Sequence, residues 1–445
     1  MNRKVTLLYI SLACVLSMQA QTRQQMGGVY YAYPEGPSAK TGTFGKATYV
    51  MSDSLSVPQG YAPFYISHYG RHGSRWMPKD DRYVWICKHF EDESNLTPLG
   101  LQVKGILQRV WENAKGNGGK LSKLGALQHQ GIAHRMFERY PQIFAAGNAV
   151  KARSSVVDRC AKSMQAFTSE LHTLQPGLNL DVKTDSADMA WIAYVSPEVK
   201  ALENRTHVQA QVSPRRFLLQ LFKDVSKVDE PLKLMTEMHT VASSIQDVGL
   251  NFSSYPQDIE DGLNALFTDD EFRAIYDANN LRMTINNGTV ATNEDIPARS
   301  AISLWQNIEA EADRALRSVK SSATLRFGHD TALCTHHSID GIELADMFQA
   351  MNPLMHFLLP GIPGIVMCTI DHLTYGRKHD IPLIEHELHQ HAILRILIEY
   401  HLEIGSHRNH AIHLFHFISQ NHQISLFTCS CRRNIYIKEK RKRRK

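Results

Sequence analysis

The stretch "FYISHYGRHGSRWMP", Phe64 to Pro78, gathers His68, Arg71, His72 and Arg75 around Gly70 and Gly73. Like charges this close repel one another, so the cluster calls for an anion among them. A guanidinium presents a planar fork of donors that matches phosphate oxygens, and it stays charged at any ordinary pH. Two forks around one imidazole, as in Arg71-His72-Gly73-Ser74-Arg75, make a phosphate clamp with a nucleophile inside it. Neutral imidazole can attack phosphorus while the cations hold the phosphoryl group in line and stabilise the charge on its equatorial oxygens. The same cations lower the imidazole pKa and keep the attacking nitrogen unprotonated in mild acid.

Two further groups could complete this chemistry. In "GHD", Gly328 to Asp330, His329 can donate to a phosphate oxygen, and Asp330 can protonate a leaving alkoxide and afterwards activate water. In "VKARSSVVDR", Arg153 follows a short apolar run and offers a third fork. Taken singly, a His-Asp pair is usually a hydrogen-bonded pair and an arginine after a strand is usually solvated. The four fixed positions of Arg71-His72-Gly73-Xaa-Arg75 are far more specific.

These residues need rigid elements behind them. "APFYISHYGRHG" and "ATLRFGHDTAL" read as strands running into loops, and "NAVKARSS" as a third strand. Apolar residues recur at three and four in "LTPLGLQVKGILQRVWENAKG", "LSKLGALQHQGIAHRMFERYPQIF" and "VVDRCAKSMQAFTSELHTL", which predicts helices. The alternation implies an α/β fold with a central, mostly parallel sheet flanked by helices and function at the strands' carboxyl ends. From about Leu178 to Ser321 the periodicity is mostly helical, with no convincing strand pair, and predicts a helical insertion domain. The expected organisation is a signal segment at 1–20, the α/β core at 21–177 and 322–353, the insertion at 178–321, and a tail at 354–445.

The 445 residues, 43% of them hydrophobic, suffice for a sizeable core, and the net charge of +5 gathers largely in the final "KEKRKRRK". No chain-wide basic face for nucleic acid follows from this. Arg3 and Lys4, an apolar run from Val5 to Leu16 and small or polar residues to Ala20 form a secretory signal pattern. That run is short for a membrane span, and no later segment is apolar for long enough. The expectation is export to the periplasm or outside, with Cys14 the position for a lipid anchor if one is attached. Cys87, Cys160 and Cys334 show no paired spacing and predict free thiols rather than a disulfide scaffold.

"RHGSR", "KARSS…R" and "GHDT", in this order and context, resemble the second branch of the histidine phosphatase superfamily, which holds histidine acid phosphatases, phytases and multiple inositol polyphosphate phosphatases. The resemblance runs from about Tyr61 to Leu344, and "LSKLGALQHQGIAHRMFERYPQIF" is similar to the family's helix after the first motif. It implies an α/β domain with a helical insertion, a covalent phosphohistidine on His72, a phosphorylated small-molecule substrate and neither metal nor other cofactor. It also implies that Arg71, Arg75, Arg153 and His329 bind phosphate and that Asp330 is the proton donor. Bacterial relatives of multiple inositol polyphosphate phosphatase often carry Ala-Glu after this histidine. Here Asp330 follows directly, as in phytases and acid phosphatases, so phosphomonoester hydrolysis is better defined than the substrate. The alternatives are a general acid phosphatase, an inactive phosphate binder and, less in keeping with export, a mutase-like transferase.

After Pro353 the resemblance fades. Twelve of the 23 histidines fall there, and the family's usual "ISPMAAN" and further core strand are not visible. Yet "HLTYGRKH", His372 to His379, can be written in codons that, shifted one base forward, read Ile-Ser-Pro-Met-Ala-Ala-Asn, which makes a frameshifted tail the working reading. The competing reading is a metal site, because His407, His410, His413 and His416 recur at a spacing of three, but acidic or cysteine partners are lacking nearby.

Overall fold

The computed structural model describes residues 23, 25–30, 61–288, 290, 292–318, 320–332 and 369–377. The signal-like segment, Cys14, Cys334 and the histidine-spaced segment of the tail lie outside the described residues.

Five strands form one sheet: β1 (Tyr61–Arg71), β2 (Ala149–Ser154), β3 (Asn179–Thr184), β4 (Ser322–Gly328) and β5 (Thr369–Arg377), in the order β3-β2-β4-β1-β5. All pairings are parallel except β1 with β5. The parallel register sets Arg71 of β1 opposite Gly328 of β4, and Ser154 of β2 opposite Phe327. The residues that follow, His72, Ser155 and His329, therefore leave the sheet at one rim, where α/β folds collect their ligands.

Before the second strand the chain forms α1 (Asp80–Lys88), α2 (Pro98–Ala114) and α3 (Lys123–Arg139), and after it α4 (Asp158–Leu174). Local chemistry starts these helices: Thr97 and Ser122 accept from the N–H groups of Gly100 and Gly125, and Pro98 fills the first turn of α2. The apolar stripes of α3 and α4 cover one sheet face, packing Ile132, Met164 and Phe167 on Ile66, Leu325 and Phe327. On the other face Tyr69 meets Ile192, Leu304 and Ile308. Burial on both faces explains the apolar character of β1 and β4.

The stretch between β3 and β4 is helical: α5 (Met189–Ile192), α6 (Pro197–Arg205), α7 (Arg215–Leu221), α8 (Pro231–Val248), α9 (Gln257–Asn264), α10 (Asp269–Asn287), α11 (Ile296–Ser300) and α12 (Ile302–Ser318). Thr268 and Glu271 close a reciprocal cap at the start of α10.

Three expectations need correction. First, β3 lies inside the stretch read as mostly helical with no convincing strand pair, and it pairs with β2, so the sheet continues to Thr184. It is an edge strand in which Leu180 is only partly buried and the rest is exposed, so it carries no apolar run to betray it. Second, α2, expected within the α/β core, does not cover the sheet, and neither does α1 beside it. Their Ile86, Val103 and Leu107 share one core with Phe217, Met238 and Phe272 of the insertion helices, because the chain leaves the sheet after the clamp and returns only with α3. Third, a fifth strand, β5, pairs antiparallel with β1 from within the tail where no further strand was visible.

Candidate active site

The loop after β1 is fixed from several sides. His72 N–H donates to the Gly328 carbonyl (3.0 Å), and the Ser74 carbonyl accepts from both N–H and Oγ of Ser122, each at 2.9 Å. Ser163 Oγ accepts from Gly73 N–H (3.1 Å), Gln128 Oε1 from Ser74 N–H (2.9 Å), and His129 Nε2 donates to the Arg71 carbonyl (3.1 Å). A Cβ on Gly73 would stand 2.3 Å from the Gly125 carbonyl oxygen, and one on Gly125 2.3 Å from that of Ser74. Only glycine at both positions lets loop and helix approach this closely.

His72 is 2% exposed. Its Nδ1 lies 2.9 Å from the Gly73 carbonyl, so Nδ1–H donates there and Nε2 keeps its lone pair. Its pKa is held well below the ordinary value by burial, then by the charges of Arg71 and Arg159, with Arg75 adding to them; the Gly73 hydrogen bond only opposes this. The His329 ring stands edge-on at 5.6 Å between centroids. Burial and then Arg159 lower His329 to about 4. Ser155 Oγ and Cys160 Sγ lie 3.5 and 3.8 Å from its Nε2.

Asp330 Oδ2 is 3.2 Å from Arg71 Nε. Burial opposes its ionisation, but Arg71, His329, the Thr331 N–H and Arg75 outweigh it and hold the carboxyl below its usual range. Burial and the neighbouring Arg75 and Arg71 charges depress Arg159 too. The crowding of Arg75 and Arg71 about Arg159 is what an anion would relieve. Accordingly, Arg75 Nε and Arg159 Nε are buried without a hydrogen-bond partner among the described residues.

The structure thus brings together Arg71, His72, Arg75, His329 and Asp330 of the residues singled out from the sequence. It does not bring Arg153. That side chain is engaged by Asp181 (2.5 Å from its Nη2) and Asp188 (3.7 Å from Nε), and its Nη1 donates to the Ala152 and Asp181 carbonyls. The third fork is Arg159, at the start of α4. The quoted "VKARSSVVDR" contains both arginines, and the parallel pairing of β2 with β3 is what places Asp181 beside the first. Gln128, His129 and Ser163, which hold the loop, carried no chemical signal of their own in the sequence.

Among the described residues no group of three His, Cys, Asp or Glu side chains is placed to hold a metal ion, and Cys87 and Cys160 are free thiols.

A solved structure of apo multiple inositol polyphosphate phosphatase from Bifidobacterium longum superposes with a TM-score of 0.52 at 15% identity, covering 80% of this chain and 89% of that one. The chain has the fold of that phosphatase. The same enzyme in complex with inositol hexasulfate gives 0.51 over 69% of this chain and 79% of that one, and with phosphate 0.50 over 69% and 78%, both at 15% identity. No family model matches the sequence, and no curated protein does. The likeness therefore resides in backbone architecture, an α/β sheet with a helical insertion as expected from the sequence.

Proposed function

We propose that the chain is an exported phosphomonoesterase that transfers the phosphoryl group of its substrate to His72 and then to water, with inositol polyphosphates as the substrate class. The observation that carries this reading is the buried neutral imidazole of His72 beside Arg71, Arg75 and Arg159, with His329 and Asp330 at the same rim. The fold shared with a phosphatase solved in complex with inositol hexasulfate supports the substrate class, and the amino-terminal signal pattern supports export.

In the first step His72 Nε2 attacks phosphorus, the bond from phosphorus to the ester oxygen breaks, and Asp330 protonates the departing alkoxide. In the second, Asp330 takes a proton from water, the hydroxide attacks phosphorus, the P–N bond breaks and inorganic phosphate leaves. Asp330 is depressed in the free site because Arg71 pairs with it. An arriving phosphate dianion occupies that guanidinium and adds negative charge, both of which raise the Asp330 pKa and load it with the proton it must give.

A general acid phosphatase without inositol preference is the second reading, favoured by Asp330 directly following His329. Phosphate release from p-nitrophenyl phosphate and from inositol hexakisphosphate separates the two. His72→Ala should abolish release from both, and quenching the parent mid-reaction should yield an acid-labile, base-stable phosphate on the peptide containing His72. Release that survives His72→Ala refutes the mechanism.

A further inference from the structure

A carboxylate lies behind the clamp on the insertion side. Asp247, in the last turn of α8, is 3% exposed, and its Oδ1 accepts from Ser74 Oγ (3.0 Å) and from Gln246 Nε2 (2.6 Å). Gln246 Nε2 also donates to the Tyr30 carbonyl at 2.5 Å, and Arg71 Nη1 to that of Val29 at 3.3 Å. The end of α8 thereby ties together the clamp loop and the segment 25–30. The charged and titratable groups around Asp247 are Arg71 and Arg75 from the clamp and Tyr255 from beyond the helix.

We propose that Asp247 is a positioning residue, which holds Ser74 in place through α8 and whose negative charge, when present, opposes that of an anion bound at the clamp. This rests on reading the clamp as an anion site. Burial raises the Asp247 carboxyl to about 7, against the opposing Ser74 hydrogen bond and the two arginines. Below that value the residue is a neutral acid and leaves both guanidiniums to the ligand. Above it the carboxylate sets a negative charge behind the clamp, and anion binding weakens. By reciprocity, a bound anion raises the Asp247 pKa further.

In the free site the other groups lie outside this window, and any proton uptake that a bound anion induces in them is common to the parent and the Asp247 variants, so their difference reports Asp247. His72 and Asp330 are shifted down, His329 sits at about 4 and Cys160 is pushed up to about 11. Sulfate is the suitable probe, because it is tetrahedral, resembles phosphate and does not change protonation over this range.

Calorimetric titration of the full chain with sulfate should show affinity falling roughly three- to thirtyfold from about pH 5.5 to about 8.5, the reach of a ligand-induced pKa shift of about 0.5 to 1.5. Asp247→Asn keeps an oxygen to accept from Ser74 but cannot ionise, so its affinity should fall less with pH than the parent's and exceed the parent's at the alkaline end. Asp247→Ala, which loses the tie as well, should bind more weakly than Asn throughout, with the same reduced pH dependence. A flat parent profile, which needs no variant to fold, overturns the inference while leaving the clamp intact, as does an Asn variant with the parent's pH dependence. Absence of sulfate binding at every pH overturns both the inference and the clamp.

Discussion

At the residue scale, Arg159 and Arg153 carry the same charge and differ in what they face. Arg159→Lys keeps a cation near His72 but loses the fork, so kcat/KM for p-nitrophenyl phosphate should fall roughly ten- to a thousandfold, the scale of one transition-state contact. Arg153→Lys should stay within about twofold of the parent, because its partners are Asp181 and Asp188 rather than the ligand. The reverse order would return Arg153 to the site. Asp330→Asn tests the proton role. Its amide cannot protonate an alkoxide, so esters with poor leaving groups should slow far more than p-nitrophenyl phosphate, and the phosphohistidine should accumulate for want of a base. Equal losses on both substrates, with no trapped intermediate, would leave Asp330 as a partner of Arg71 only. The sequence showed Arg71, His72, Arg75, His329 and Asp330 because their spacing is local to two strand ends. It could not separate Arg153 from Arg159, since that choice depends on which strand lies beside β2. Asp247 was equally hidden, because its contact with Ser74 spans a sequence separation of 173 residues.

At the element scale, the active loop is held by the start of α3, and the crossing at Gly73 and Gly125 has backbone on both sides. A methyl group on Gly125 would meet Ser74 backbone atoms at 2.3 and 2.8 Å, and neither can rotate away. Gly125→Ala should cost about 1–3 kcal/mol by overpacking. It should also lower kcat/KM more than its Tm shift alone explains, since the displaced atoms belong to the residue between His72 and Arg75. Thermal melts beside kinetics check both, and unchanged kinetics would mean that the loop is not set by α3. The elements that were legible, β1, β2, β4 and α2 to α4, are those with apolar runs or clear helical stripes. β3 escaped because an exposed edge strand has little to bury. β5 lies in a tail for which codons can be written that read "ISPMAAN" over His372–His379 in the shifted frame, a stretch that begins within this strand. The gene's nucleotide sequence tests that reading: a shifted frame that soon meets stops, with no further strand-like run, ends it.

At the scale of the whole molecule, buried histidines set how the fold responds to acid. Burial lowers His129 and His239 to about 3 and His329 to about 4, and holds His72 well below its ordinary value. In the unfolded chain these imidazoles take up protons near pH 6.5, so between that value and the folded pKa the unfolded state binds more protons, and stability falls as pH falls. Asp247 acts in the opposite sense, because its raised pKa makes the folded state the better proton binder between about 4 and 7. Four groups against one decide the direction. The Tm should therefore drop by about 5–10 °C between pH 7 and pH 4, at about 1 °C per kcal/mol in a chain of this size. His239 isolates the effect: it is packed against Phe267 and Phe272 in the insertion, and desolvation is the one cause of its shift. His239→Leu removes the proton site without touching the clamp, so the Tm difference between variant and parent should move in the variant's favour as the solution is made more acid, with kcat/KM unchanged. Calorimetric melts in steps from pH 7 to 4 would measure it, and parallel curves for variant and parent would show that His239 accepts its proton without unfolding.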